Sequence, residues 1–414
     1  MNSDCRILSI MGSGETSPTM VTVHKALVAR LSARPDAVLL DTPYAFQENA
    51  ADISARAVAY FASSVGLDVT VLASAAATDP GREAARVRAA DWVFAGPGSP
   101  TYALSQWRDS PLGMALRERV ATGTGVTILA SAAAATAGIA AVPVYELYKV
   151  GAAPFWLDGL DLLAAIGLRV AVIPHYDNAE GGTHDTRYCY LGERRLAAME
   201  RELPSDAAVL GVDEHTAVVL DLIAETAEVR GRGGLTIRKN GESTVVESPA
   251  VLPIADLRAT IRTGTLAARP ASPGPPVPGQ DEQEAPPLTE VVEHAERQFE
   301  AALAAGDGTA LITTILDLEY AVHAWMADTD EDQGTEQARA VLRGMIGRLG
   351  DFLTDGLRDP VDKLRPAVDP LLELRSTLRE QGRYEESDSI RAALAACGIQ
   401  IGDGAGGTEW VVNS

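Results

Sequence analysis

Seven apolar runs of four or five residues punctuate the first 212 residues of this chain: Ile7–Met11, Ala37–Leu40, Val69–Leu72, Trp92–Ala95, Thr127–Ala130, Val170–Ile173 and Ala208–Val212. Ala-rich amphipathic segments lie between them, among them Val21–Leu31, Ile53–Val65 and Leu112–Ala121. Runs this short suit buried strands better than helices. Their alternation with helical periods predicts right-handed crossover units and parallel pairing. The expected fold is therefore α/β, an open, mostly parallel sheet with helices on both faces. Four later runs, Thr216–Leu222, Ala227–Arg230, Leu235–Lys239 and Ser243–Val246, alternate around Gly-rich turns. They predict an antiparallel extension.

The segment from Gly264 to Thr289 holds Pro270, Pro273, Pro275, Pro276, Pro278, Pro286 and Pro287 among Gly, Ala and acidic residues. Such a composition makes an extended, solvated linker. It divides the chain into an α/β domain over residues 1–263, a linker over 264–289 and a further domain over 290–414. In that last part Val291–Ala305, Ala310–Met326, Glu336–Phe352 and Pro370–Gln381 carry apolar residues at three- and four-residue spacing, which predicts an all-α domain. The tail, Ile399–Asp403 and Gly406–Val412, predicts a hairpin closed by glycine turns.

The formal net charge is −22. An acidic surface repels phosphate backbones, so nucleic acid is a poor default partner. From Glu290 to Ser414 there are 24 acids against 11 Lys and Arg, a net of −13. No run approaches the roughly 18 apolar residues of a membrane span, so no membrane association is expected. The start, Met1-Asn-Ser-Asp-Cys-Arg, lacks the basic and apolar regions of a secretory signal. Cys5, Cys189 and Cys397 fit neither a metal-ligand spacing nor a disulfide framework. A cytoplasmic protein is the expectation.

Three polar residues end three of the strand-like runs: Ser131 after Thr127–Ala130, His175 after Val170–Ile173 and Pro174, and Glu214 just after Ala208–Val212. Ligands of open α/β sheets bind at the carboxyl ends of strands, so these groups are candidates to meet at one edge of one sheet. A serine becomes a nucleophile when a base takes its proton and a third group orients that base. A strand-to-helix elbow exposes the hydroxyl and aims amides at a developing oxyanion. Ser131 also suits a plain helix cap. Glu146, fifteen residues after Ser131, competes with Glu214 as the orienting acid, and the sequence does not choose between them. The turn Gly96-Pro-Gly-Ser would place the Gly98 N–H beside that of Ala132 as an oxyanion hole. Gly12-Ser-Gly-Glu is a similar turn, and neither has the spacing of a phosphate loop or dinucleotide fingerprint. Arg187 is a candidate clamp for a substrate carboxylate, with Tyr176 as a second substrate-binding residue. His184 and Asp185 lack the partner spacing of a metal site, so no metal and no organic cofactor is expected.

With these residues placed, the stretch from about Ile7 to Val246 resembles the peptidase E and cyanophycinase family of serine peptidases. The resemblance rests on Gly12-Ser-Gly-Glu, Gly96-Pro-Gly-Ser, the Ser131 elbow, Pro174-His-Tyr, Gly182-Thr-His-Asp-Thr-Arg and Asp213-Glu-His-Thr. It implies a class I glutamine amidotransferase-like fold, with Ser131 as nucleophile, His175 as base and Glu214 or Glu146 as the acid. It also implies a small peptide or amide substrate, of aspartyl type. The elbow here reads Leu129-Ala-Ser-Ala-Ala, where that family usually has Gly-x-Ser-Ala-Gly. This difference motivates an alternative, a non-catalytic scaffold on a degenerate peptidase fold. The second domain is similar to the C-terminal helical part of cysteinyl-tRNA synthetases through Leu371-Leu-Glu-Leu-Arg-Ser-Thr-Leu-Arg, Tyr384, Ser387-Asp-Ser-Ile-Arg, Gly398-Ile and Gly407-Thr-Glu-Trp. The ATP-binding signatures of a synthetase do not occur, which argues against aminoacylation. Residues 290–414 are then expected to serve a protein partner, a tRNA or a homodimer contact. An amide-forming step on an aminoacyl donor is a third reading that would unite both halves.

Overall fold

The computed structural model describes residues 5–31, 33–73, 79–181, 184–266, 286–325, 334–357, 360–404 and 407–412. Most of the Pro-rich linker, residues 267–285, lies outside them. By compactness the chain forms two units, Met1–His294 with Asp317–Arg339, and Ala295–Leu316 with Ala340–Ser414.

The first unit is built on β1 (Arg6–Met11), β2 (Ala37–Leu40), β3 (Val69–Leu72), β4 (Trp92–Ala95), β5 (Gly125–Ala130), β6 (Ala140–Ala141), β7 (Leu157–Asp158), β8 (Val170–Ile173), β9 (Ala208–Val212), β10 (Thr216–Asp221), β11 (Thr226–Gly231), β12 (Gly234–Lys239), β13 (Glu242–Glu247) and β14 (Ala250–Pro253). An eight-stranded sheet runs in the order β14-β11-β10-β1-β5-β4-β2-β3, and a six-stranded one in the order β13-β12-β9-β8-β6-β7. Strands β1 to β5 pair in parallel, as do β8 with β9 and β6 with β8. The later strands pair antiparallel, as their alternating pattern predicts.

The pleat explains why these short runs are apolar throughout. Along a strand successive side chains point to opposite faces. Leu8, Ile10, Val38, Leu40, Val93 and Leu129 enter one core, whereas Ile7, Met11, Leu39, Trp92, Phe94 and Ile128 enter another. The sheet is thus buried on both faces, as parallel sheets are. Val170, Val172, Leu210, Val212 and Leu235 of the six-stranded sheet join the first of these cores.

The sequence predicts one sheet carrying Ser131, His175 and Glu214; the structure divides them between two. Strand β5 is hydrogen-bonded to β1 on one side and β4 on the other, so no edge is left beside it. The chain that leaves the elbow therefore starts new pairing through β6. Strands β6 and β7 span two residues each, too few for a periodic signal.

The long helix Thr335–Leu357 belongs to the second unit from Ala340 onward, and the long helix Pro360–Glu380, the helix Tyr384–Ala396 and a hairpin of Ile399–Gly404 with Gly407–Val412 lie wholly in that unit. The helix expected from Pro370 begins at Pro360 and runs through Pro366 and Pro370. Val368 and Leu372 anchor it in a small core with Leu394, Ile399 and Ile401. Burial of those side chains offsets the lost amide donors of the prolines. Trp410 closes that core, its indole N–H donating to Asp369 at 3.1 Å.

Candidate active site

Strand β5 ends at Ala130, and Ser131 follows with φ +46° before the buried helix Ser131–Ala135. That left-handed conformation is unusual for a non-glycine residue and marks a strained turn. Leu129 and Ala133, at the positions where the family motif has glycine, lie in strand and helix, and neither has positive φ. The elbow thus places its one unusual dihedral at Ser131, and the larger side chains beside it fill core rather than strain the chain.

His175 leaves β8 through Pro174, also with positive φ (+47°). Its carbonyl oxygen accepts the Cys189 N–H at 3.0 Å and the Asn178 N–H at 3.3 Å, which closes the loop. The imidazole lies between the other two groups. Nε2 is 3.0 Å from Ser131 Oγ, and Nδ1 is 3.0 Å from Glu214 Oε1. Glu146 is elsewhere, its carboxylate accepting the Thr101 hydroxyl at 3.0 Å. Of the two acids, Glu214 is the one hydrogen-bonded to His175.

Burial acts to raise the Glu214 carboxyl, but the hydrogen bonds from His175 and Asn178 and the neighbouring His215 outweigh it and hold it below the ordinary value. An ionised Glu214 accepts at His175 Nδ1, which leaves Nε2 as the acceptor facing the serine hydroxyl. Asp177 and Asp213 stand behind this pair. Burial raises both, and with the Asp177 charge nearby Asp213 is pushed up to about 6.

The two glycine turns meet the site in different ways. Ala133 N–H bonds the Gly96 carbonyl at 3.2 Å, tying the Gly96-Pro-Gly-Ser turn to the elbow helix. Gly98 has φ +132°, and a Cβ there would overlap the Pro43 carbonyl. Ser99 then caps the helix Pro100–Trp107 through its hydroxyl. Gly98 and Ala132 both line the cavity that holds Ser131 and His175. Ala132 is the second residue of its helix, so its N–H has no partner one turn back. The Gly12-Ser-Gly-Glu turn instead supports the acid. A Cβ on Gly12 would overlap the Asp213 carbonyl, and one on Gly14 would overlap the His215 ring. His215 N–H bonds Ser13 O at 3.2 Å, and Gly12 N–H bonds Thr216 O at 3.0 Å.

A cavity of about 400 Å³ opens over Ser131 and His175, walled by Tyr44, Tyr145, Tyr148 and Tyr190 and carrying Arg56, Lys149 and Glu180. The Tyr190 hydroxyl donates to the Glu180 carboxylate at 2.7 Å. None of these residues stands out in the sequence: Tyr145, Tyr148 and Lys149 share the short helical segment around Glu146–Val150, and the others come from separate elements without a motif of their own. The next helix begins at Gly192. Tyr188, Cys189 and Tyr190 take left-handed φ of 62°, 55° and 63°. This turns the Tyr188 and Cys189 amides onto the carbonyls of Tyr176 and His175, at 2.9 and 3.0 Å. Each such residue costs about 1–2 kcal/mol, offset by amides that clamp the histidine loop.

Two expected substrate contacts lie outside the cavity lining. Arg187 is held by Asp185 through Nε and an η-nitrogen, at 2.8 and 2.9 Å, and stays half-exposed. The Asp185 carboxylate, on the same turn, captures the guanidinium before a substrate could. Tyr176 is buried in a core with Ile173, Leu191 and Leu196. Its ring fills the space above Gly211, where a Cβ would overlap it. His184 stacks on Tyr148 at 6.4 Å. Among the described residues no group of three or more His, Cys, Asp or Glu is placed to hold a metal ion, and no helix is long and apolar enough to cross a membrane.

No family model matches the chain. The cysteine--tRNA ligase of Dehalococcoides mccartyi is 31% identical over 106 residues, 26% of this chain and 22% of that protein. That of Pseudomonas fluorescens strain Pf0-1 is 36% identical over 88 residues, 20% of this chain and 19% of that protein. The chain spans about a fifth of the length of these curated relatives. Among solved structures, a peptidase from an acI-B1 Actinobacterium aligns at 19% identity and TM-score 0.48, covering 61% of this chain and 98% of that one. The cysteine--tRNA ligase resemblance drawn from the sequence recurs in these comparisons.

Proposed function

We propose that this chain is a serine hydrolase that cleaves an amide or peptide bond of a small substrate through an acyl-enzyme. The observation that carries the reading is the unbroken relay from Ser131 Oγ to His175 Nε2 and from His175 Nδ1 to Glu214, at 3.0 Å each, opening on one cavity. His175 would take the serine proton as Oγ attacks the carbonyl carbon. The resulting oxyanion would be met by the Gly98 and Ala132 amides, and His175 would pass the proton to the departing amine. Water, deprotonated by the same imidazole, would then release the acid and restore Ser131. Glu214 holds the ring in the required tautomer and offsets the imidazolium charge. Arg56 and Lys149 in the cavity lining support a substrate bearing a carboxylate, of aspartyl type.

The test is mass-spectrometric turnover of a pooled dipeptide library with α- and β-aspartyl linkages, alongside labelling by a fluorophosphonate. Ser131→Ala should abolish labelling and reduce kcat by about 10⁴-fold or more. Full retention of hydrolysis in that variant would refute the mechanism. The likeness of residues 290–414 to the C-terminal part of cysteinyl-tRNA synthetases, together with matches of the chain to about a fifth of such ligases, supports a second role for that region, contact with a partner or a tRNA. Affinity for tRNA that disappears when 290–414 are removed would support that role, and a chain without turnover in the first test would make it primary.

A further inference from the structure

Asn178 is wholly buried, and no part of the proposed reaction needs it. A buried amide is costly unless both its ends are hydrogen-bonded. Here both are. Nδ2 donates to Glu214 Oε1 at 3.0 Å, and Oδ1 accepts the Glu180 N–H at 3.3 Å. Its main chain reaches the other partner, the Asn178 N–H donating to the His175 carbonyl at 3.3 Å. The side chain of one residue therefore binds the acid while its backbone binds the base. The adjacent Asp177 adds a third tie, its Oδ1 accepting the Glu214 N–H at 2.8 Å.

The geometry points to Asn178 as a positioning residue that fixes Glu214 against His175 and lowers the affinity of His175 for its proton. This rests on the serine hydrolase reading. Oε1 of Glu214 receives two donors at equal distance, His175 Nδ1 and Asn178 Nδ2. The amide shares the negative charge of that oxygen, so less of it stabilises an imidazolium. The base stays neutral, and able to accept the Ser131 proton, down to lower pH. Other titratable or charged groups facing the pair include Asp177, Asp213, His215 and Tyr190, with Glu180 hydrogen-bonded to Tyr190 in the same cavity.

The test follows the His175 ring by NMR in the full chain across pH, a reading that needs no substrate. Asn178→Ala should move the His175 titration up by about half a pH unit, and Asn178→Ser, which keeps a donor, should move it less. In a Glu214→Gln background the Asn178→Ala shift should vanish, because the effect is transmitted through the carboxylate. An unchanged titration in Asn178→Ala, or an equal shift in the Glu214→Gln background, overturns the proposal. If Asn178→Ala does not fold, Asn178→Ser decides alone. Its titration must then rise when Glu214 is present and stay put in the Glu214→Gln background, and any other outcome overturns the proposal. Fluorophosphonate labelling of Ser131 on the same samples is read separately. Its failure in the unaltered chain would refute the hydrolase reading, while the NMR cycle still decides the role of Asn178.

Discussion

Two glycine-rich turns, Gly12–Glu15 and Gly96–Ser99, look alike in the sequence and serve opposite sides of the site. Each follows a parallel strand, and each offers bare backbone. At Gly12 and Gly14 the missing side chains admit the turn Asp213–His215, which carries Glu214. At Gly98 the missing side chain admits Pro43, and the turn lines the cavity that holds Ser131. The difference teaches that a glycine turn need not hold an anion. It can equally be the seat of another loop, and only what fills the space above it separates the two.

The largest expected effect concerns the acid that the first turn supports. Glu214→Gln should lower kcat by about 10⁴-fold through loss of the correct imidazole tautomer, while Glu146→Gln should stay within about threefold of the unaltered chain. Steady-state kinetics on the two variants decide it, and the reverse order would break the comparison at its root.

Next comes the second turn. A Cβ at Gly98 overlaps the Pro43 carbonyl at a φ that L-residues rarely adopt. The backbone must shift and carry its amide away from the oxyanion position. Gly98→Ala should cost about 10²–10³ in kcat with KM little changed. A purely raised KM would mean that the turn binds substrate and not the transition state.

Gly14→Ala tests the first turn directly. Its Cβ overlaps the His215 ring and its φ is +63°, so the acid turn should be displaced. We expect a loss of about 1–3 kcal/mol in stability and about tenfold in kcat. If Gly12–Glu15 were an anion site after all, KM would rise and stability would hold.

The smallest effect is on pH-dependent stability at Asp213, which rests on Gly12. Its folded value, about 6, lies above the ordinary 3.8. The folded chain then binds that proton more tightly than the unfolded chain. Its stabilising contribution is complete below about pH 4 and is lost as pH rises through about 6. Asp213→Asn imitates the protonated acid, so its Tm relative to the unaltered chain should increase from pH 4 to pH 7. A constant difference across that range would show that Asp213 titrates normally.

Much of this was legible from residues alone. Strands β2, β3, β4, β8 and β9 have the expected bounds, because a short apolar run between helical periods is a local signal. The serine and histidine were legible for the same reason, each following a strand. Tyr176 and Arg187 lie outside the cavity lining, Tyr176 packed over Gly211 by the fold and Arg187 held by Asp185 two residues away.

By itself, then, the sequence determined most of the longer strands and helices, and that Ser131 and His175 follow the carboxyl end of a strand. These follow from side-chain period and turn chemistry within a dozen residues. Only the tertiary structure decided that Glu214 and not Glu146 meets His175, that two sheets share the site, and that Asn178 and four tyrosines surround it. Those outcomes depend on contacts between residues 36 to 44 positions apart and more. They are set by which edges and cavities remain after the core has packed.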